Sequence, residues 1–344
     1  MIQNRSEIIL QNLTICIFTF ERPVSLLRII DFYSKYNIQL IILDASADLN
    51  TSAFPAKIRY FHMPGASVQE RFIKFSSLAS TQYLLLSPDD DFFAIKGLVD
   101  SLIFLDRHQE FSSVQGLRIR TFDYPNFHWI PDYTKYMKSE FIGDDKTHRV
   151  LTMGKQMHYI YSVFRHEVYA KIVSCLVGAE SQSRNSVSIV EIIFNLTLPA
   201  LGKHKTIPCF YSARMDHSYK GGDINFARWV NSHKDITAIN LRRNLVDFYM
   251  REIPCSEEDG IKLMEEMIAH FSKQSITTSP RNHFKKLKMV MRSHNFAPIF
   301  RSISLVLKPN YLNFFWILII NRNFRFFVSD IRHISSFLKQ NKIK

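Results

Sequence analysis

Glycine and cysteine are scarce in this chain of 344 residues, at 10 and 4. Cys16, Cys175, Cys209 and Cys255 lie far apart and form no C-x-x-C pair. Neither a zinc site nor a disulfide framework is supported, and reduced thiols are expected. No G-x-G-x-x-G and no Walker A pattern occurs, which removes the usual dinucleotide and P-loop readings. Met1 to Gln11 lacks a basic stretch followed by an apolar core, so no signal peptide is expected. Within 281–344 the longest uncharged apolar stretch, Phe314 to Ile320, has 7 residues, against the ~20 that span a bilayer. There is no internal repeat and no low-complexity tract.

Hydrophobic residues make up 46% of the chain and phenylalanine alone numbers 29. That is enough to build a sizeable core and excludes a disordered protein. The length fits one large domain with an appendage. The net charge of +13 is unevenly placed: 281–344 carries 13 Lys/Arg and one acid, Asp330, so 1–280 is close to neutral. A neutral body with a basic tail suggests an acidic surface as partner, either anionic lipid or nucleic acid.

The first 110 residues alternate strand and helix patterns. Leu13 to Phe20 is β-rich and mostly apolar, Pro23 is placed for a first helical turn, and a helical face follows through 26, 27, 29, 30 and 33. Gln39 to Leu43 and Lys57 to Phe61 read as strands, Ser67 to Ser80 as a helix, Tyr83 to Leu86 as a buried strand, and Ile95 to Asp106 as a helix. Further on, Ser113 to Arg120, Gln156 to Arg165 and Lys205 to Ser212 read as strands. Thr121 to Thr147 reads as an ordered loop, Val187 to Leu201 as a helix, and 225–272 as helical with a break near Pro254. Such alternation predicts an α/β fold with a mainly parallel sheet, whose strand ends converge on one rim. Three of those ends are polar: Thr19-Phe20-Glu21-Arg22, Asp44-Ala45-Ser46 and Asp89-Asp90-Asp91.

The last of these is the most informative. A greasy strand stops at three consecutive carboxylates, read as a loop, which repel one another unless a cation compensates. Hard cations such as Mg²⁺ or Mn²⁺ take oxygen ligands and usually hold one or two protein carboxylates plus substrate phosphates. A metal–diphosphate site and an acidic turn capping the next helix are both open from the triplet alone.

Phe18-Thr19-Phe20-Glu21-Arg22-Pro23, then Leu40 to Ser46, then Leu86-Ser87-Pro88-Asp89-Asp90-Asp91-Phe92, in that order and spacing, resemble the nucleotide-sugar glycosyltransferases of the GT-A fold. The likeness is greatest to a bacterial branch with a DDDF acidic motif, and covers roughly 12–220. It implies a Rossmann-like GT-A catalytic domain over 1–224; beyond it, the residue pattern predicts a helical segment packed on that domain over 225–280 and a basic amphipathic extension over 281–344. It further implies that Thr19, Phe20, Glu21, Arg22, Asp44 and Ser46 cradle the nucleotide and that Asp89 and Asp90 face the ribose and diphosphate. Asp91 would bind Mn²⁺ or Mg²⁺, with His217 completing the metal shell. Arg71 and Lys220 would approach the donor, and Glu191 would serve as base in an inverting transfer. Two departures stand out: Phe20-Glu21-Arg22 replaces the commoner Tyr-Asn-Arg, and Val190 precedes Glu191 in place of an acid. Read as residues alone, Asp44 and Ser46 also suit a turn, Glu191 a solvent face, His217 a surface loop, and Arg71 a pair with a neighbouring glutamate.

The expected partners are a nucleotide-sugar donor and a saccharide or lipid-linked saccharide acceptor in surface-glycan (lipopolysaccharide or capsule) synthesis. An anionic membrane surface would be met through 281–344 at the cytoplasmic face, and no nucleic acid is expected. Two rivals stand beside this reading. A nucleotidyltransferase would also use clustered aspartates but calls for a Gly-rich phosphate loop, and a nucleic-acid binder would explain the tail but not the acidic strand end.

Overall fold

The computed structural model describes residues 7–50, 52, 54–122, 128–131, 140–153, 159–179, 187–215, 229–277 and 324–340. Its strands are β1 (Leu13–Thr19), β2 (Gln39–Asp44), β3 (Ile58–His62), β4 (Tyr83–Pro88), β5 (Asp91–Phe93), β6 (Phe111–Phe122), β7 (His128–Pro131), β8 (Val163–Arg165) and β9 (Lys203–Met215). They form one sheet in the order β3-β2-β1-β4-β8-β6-β9-β5, with β7 beside β6. β1 runs parallel to β2 and β4, β2 to β3, and β6 to β9, while β8 is antiparallel to both β4 and β6. Six of the nine described strands therefore point one way, and β5, β7 and β8 oppose them. The mixed, mostly parallel α/β sheet expected from the alternation is present.

Helices cover both faces. On one side lie α1 (Pro23–Tyr33) and α3 (Ile95–Arg107), on the other α2 (Val68–Leu78), α5 (His166–Ser174) and α6 (Val187–Leu201). α4 (Lys146–Met153) lies in sequence between β7 and β8. α1 starts with the proline at its first turn, where a missing N–H costs nothing. α2 starts with a reciprocal cap: Ser67 Oγ accepts from Glu70 N, and Glu70 returns the bond to Ser67 N. α3 lies so near β9 that a Cβ on Gly97 would meet the Phe210 carbonyl oxygen at 2.2 Å.

The sheet separates two apolar cores. One joins Phe72, Phe75, Tyr169 and Phe194, and extends through Leu241, Leu245, Phe248 and Tyr249 of α7 (Ile236–Glu252) to Met264 and Met267 of α8 (Glu257–Thr277). The other joins Ile29, Phe32, Phe92, Leu98 and Tyr211 to Ile334 and Phe337 of α9 (Phe324–Gln340). So the last described helix turns its apolar stripe onto the body of the protein, with Arg332 and His333 exposed.

Three local expectations change. Gln156 to Arg165 is not one strand: Tyr159–Tyr161 is a single 3₁₀ turn and only Val163–Arg165 pairs, while 156–158 lie outside the described residues. Thr121 to Thr147 is not all loop, since β7 hairpins onto β6. The acidic triplet is not wholly loop either, because Asp91 opens β5 and pairs with β9. The pairings of β8 with β4 and of β5 with β9 join residues distant in sequence, which local periodicity does not register. The break near Pro254 falls between α7 and α8.

Candidate functional site

The register of the parallel strands sets the rim. Thr19 pairs with Asp44 and Phe18 with Pro88, so the polar ends of β1, β2 and β4 lie side by side. A cleft of about 280 Å³ opens there, lined among others by Phe20, Arg22, Arg71, Asp91, Tyr161 and Arg214. This is the crevice beyond the carboxyl ends of strands in which open α/β sheets bind ligands.

All three aspartates line that cleft and are almost entirely buried. Asp89 accepts from Thr19 Oγ1 at 2.7 Å and from Arg22 at 3.2 Å, and the same Arg22 nitrogen reaches Asp90 at 2.6 Å. Burial, and then the charge of Asp90, push the Asp89 carboxyl up to about 6 despite these donors. Burial works against the charge of Arg22, but Asp90 and Asp89 outweigh it and raise its pKa. Asp91 stands opposite Arg214 across the β5–β9 ladder, and its Oδ2 lies 3.9 Å from Arg118. Arg118 is itself buried and stacks over the Tyr161 ring, 5.0 Å from its centroid. The mutual repulsion of the triplet is thus met by arginines from three other segments.

The loop after β1 is clamped to the end of β2. Glu21 adopts a left-handed backbone, φ 55°, unusual without glycine. Its N–H donates to Ser46 Oγ at 2.7 Å, and its carboxylate accepts from Ala47 N at 2.8 Å. Asp44 accepts from Ser46 N at 2.9 Å and from Tyr60 Oη at 2.8 Å, and His62 Nε2 lies 2.9 Å from the Ser46 carbonyl. Asp44 and Ser46 do form a turn; neither they nor Glu21 line the cleft, but the turn holds the loop whose Phe20 and Arg22 do. Phe20 stands at the mouth, 43% exposed.

Arg71 does not pair with the neighbouring Glu70, which is spent on the α2 cap. It donates to the carbonyls of Thr19 at 3.1 Å and Leu43 at 3.5 Å, and packs over Phe18. Burial lowers its pKa. It therefore ties two strand ends together while facing the cleft. Glu191, half-buried on α6, accepts from Tyr161 Oη at 3.4 Å. His217 and Lys220 lie outside the described residues.

Sequence reasoning passed over Tyr60, Arg118, Tyr161 and Arg214. Arg118 did carry a signal, though a weak one: it sits directly between the apolar Leu117 and Ile119 in a strand. Nothing local marked Tyr60, Tyr161 or Arg214. Tyr161 and Arg214 reach the cleft because the turn before β8 and the end of β9 are brought beside the acidic turn, and Tyr60 reaches Asp44 from the neighbouring β3.

The oxygen-rich rim suits a hard cation held by one or two carboxylates and completed by a ligand's own oxygens. Among the described residues no group of three or more His, Cys, Asp or Glu side chains forms a full protein cage for a metal. With both Asp89 oxygens committed to Thr19 and Arg22, the donor set that fits such an ion is Asp91 with Asp90 beside it.

Comparison with known proteins gives structural likeness only. No family model matches the chain, and no curated protein matches it. A crystal structure of S. aureus TarS residues 1–349 aligns over 75% of this chain and 71% of that one, at 10% identity and a TM-score of 0.44. A longer crystal structure of S. aureus TarS aligns over 72% of this chain and 44% of that one, at 12% identity and a TM-score of 0.37.

Proposed function

We propose that the protein is a glycosyltransferase that binds a nucleotide sugar in this cleft and transfers the sugar to a hydroxyl of a saccharide acceptor. The observation that carries the reading is the buried triplet Asp89-Asp90-Asp91, cross-braced by Arg22 and Arg118 at the carboxyl ends of parallel strands. Buried carboxylates and guanidiniums sharing one cleft are costly to assemble unless they serve a charged ligand. The left-handed Glu21 beside them is a second such cost.

In this reading Phe20 and the Glu21–Ser46 clamp hold the nucleoside, and Asp44 keeps that clamp in shape. Arg22, Arg71 and Arg214 face the diphosphate, with Lys220 approaching it. Their positive charge stabilises what develops on the leaving nucleoside diphosphate. Asp91, with Asp90 beside it and His217 as a further ligand, would hold a Mn²⁺ or Mg²⁺ ion, which when bound would supply Lewis-acid charge to the same leaving group. Glu191 takes the proton of the acceptor hydroxyl. The acceptor oxygen bonds to the anomeric carbon as the bond from that carbon to the phosphate oxygen breaks, and its electron pair leaves with the diphosphate. Attack from the face opposite the leaving group inverts the anomeric centre.

The basic segment 281–344 supports a lipid-linked acceptor in surface-glycan synthesis. Each cation near anionic lipid contributes roughly 1 kcal/mol. Because α9 buries its apolar stripe in the protein, the lipid contact falls to the cations of 281–323 and the exposed face of α9. No helix among the described residues is long and apolar enough to cross a membrane.

The test is a panel of uridine, guanosine and cytidine nucleotide sugars offered to the purified chain with Mn²⁺ or Mg²⁺. Metal-dependent binding and release of nucleotide from one class is expected. No binding of any nucleotide sugar would remove the reading.

A further inference from the structure

Tyr161 occupies a position that no sequence motif marks. It closes the 3₁₀ turn before β8, and its carbonyl accepts from Tyr211 Oη at 2.8 Å, which anchors it to β9. Its ring lies under the Arg118 guanidinium, and Arg118 reaches Asp91. Its hydroxyl donates to Glu191 Oε1 at 3.4 Å. Tyr161 lines the cleft with Asp91 and Arg214. One side chain thus touches the group that steadies the acidic triplet and the carboxylate assigned to the acceptor.

The charged groups felt by the phenol are Glu191, Arg214, Asp91 and Arg118, from α6, β9, β5 and β6. Burial, then the negative charge of Glu191, raise its pKa well above the ordinary value. The phenol therefore keeps its proton at any working pH and remains a donor. Its bond to Glu191 has a fixed direction, from Oη–H to carboxylate, and favours the ionised form of that glutamate.

We propose that Tyr161, itself part of the cleft lining, is a positioning residue of the transfer reaction, holding the adjoining Glu191 ionised and coupling it through Arg118 to Asp91. The inference rests on the glycosyltransferase reading and on Glu191 as base. Tyr161 does not itself take the acceptor's proton, which passes from the hydroxyl to Glu191 while the anomeric carbon–oxygen bond to phosphate breaks.

The experiment is a double-mutant cycle with Y161F and E191Q, using the nucleotide sugar found by the panel and following kcat, donor KM and the pH profile. Y161F keeps the ring over Arg118 and removes only the hydroxyl. A general base contributes about 10²–10⁴-fold, and loss of its orienting bond is expected to lower kcat by about tenfold or more. Donor KM should stay within about twofold of wild type, and the acid limb of the profile should move to higher pH. The double variant should be no slower than E191Q alone, because Tyr161 acts through Glu191. Melting temperature checks that Y161F is folded. If it is not, E191D draws the carboxylate back from Tyr161 while keeping the base, and the same upward movement of the acid limb is expected. Wild-type kcat in Y161F, an unmoved acid limb, or losses that multiply in the double variant would overturn the inference while leaving the glycosyltransferase reading intact. A wild-type chain that turns over no nucleotide sugar would overturn both.

Discussion

The ring of Phe337, in the last described helix, packs 6.0 Å from that of Phe92, the residue after Asp91, and both rings also pack against Phe32. The C-terminal helix therefore braces the back of the short strand whose first residue lines the cleft. Ile334 and Phe337 are almost wholly buried there, and Phe93 N donates to Tyr33 Oη at 2.8 Å on the same side. Phe337→Ala should cost about 3 kcal/mol or more by loss of buried aromatic contact. It should also open α9 to limited proteolysis and lower donor affinity with it. A variant with unchanged melting temperature and unchanged protease pattern would show that α9 is dispensable to β5.

Asp91→Ala should abolish metal-dependent donor turnover while leaving the fold intact. The substitution removes a buried carboxylate facing Arg118 and Arg214, and the apolar packing around Phe92 and Phe93 is untouched. Turnover at the wild-type rate with added Mn²⁺ or Mg²⁺ would exclude Asp91 as the ion's ligand.

Asp89 links stability to pH. Its folded pKa of about 6 lies above the ordinary carboxylate value, so its contribution is fully present below the unfolded pKa near 4 and is lost as pH rises through 6. A shift of that size corresponds to about 2–3 kcal/mol. Lowering the pH from 8 to 5 should therefore stabilise the wild type more than Asp89→Asn by about 1–1.5 kcal/mol, the rest of the effect appearing only as pH falls to 4. Asp330, pushed to about 6 by burial and by Asp100 against Lys96, acts in the same direction in both proteins and cancels. Denaturant titrations at the two pH values measure the difference, and equal pH dependence in the two proteins would contradict it.

Gly97→Ala tests the contact between α3 and β9. With a Cβ meeting the Phe210 carbonyl oxygen at 2.2 Å, α3 must shift away from the strand that carries Arg214. Overpacking of this kind costs about 1–3 kcal/mol. A fall in melting temperature is expected, where helix propensity alone would favour alanine by about 1 kcal/mol.

The basic tail is best tested without removing α9. Replacing Lys285, Lys286 and Lys288 by glutamate should weaken sedimentation with vesicles rich in phosphatidylglycerol, and the wild-type binding should fall with added salt. Melting temperature should not change. Unaltered sedimentation would count against a lipid surface as the tail's partner.

The strands before residue 90 were legible because each is a short apolar run bounded by turn residues. Their ends were legible as a rim because parallel strands bring like ends together. Asp44, Ser46, Arg22 and the aspartates could be picked out for that reason. The 3₁₀ turn at Tyr159–Tyr161 and the β6–β7 hairpin were not read because they lie in stretches without clear periodicity, and the pairing of Asp91 with Arg214 because it depends on which distant segment lies alongside.

The sequence by itself determined the alternation of strands and helices, the placing of the carboxylates at a strand end, and the concentration of the net positive charge in 281–344. These follow from local periodicity and composition, which need no knowledge of neighbours. Only the tertiary structure decided that arginines brace the triplet, that Tyr161 stands between Arg118 and Glu191, and that α9 turns its apolar face to Phe92. Each of those contacts closes a long loop of chain, and burial of apolar surface across both faces of the sheet is what selects it.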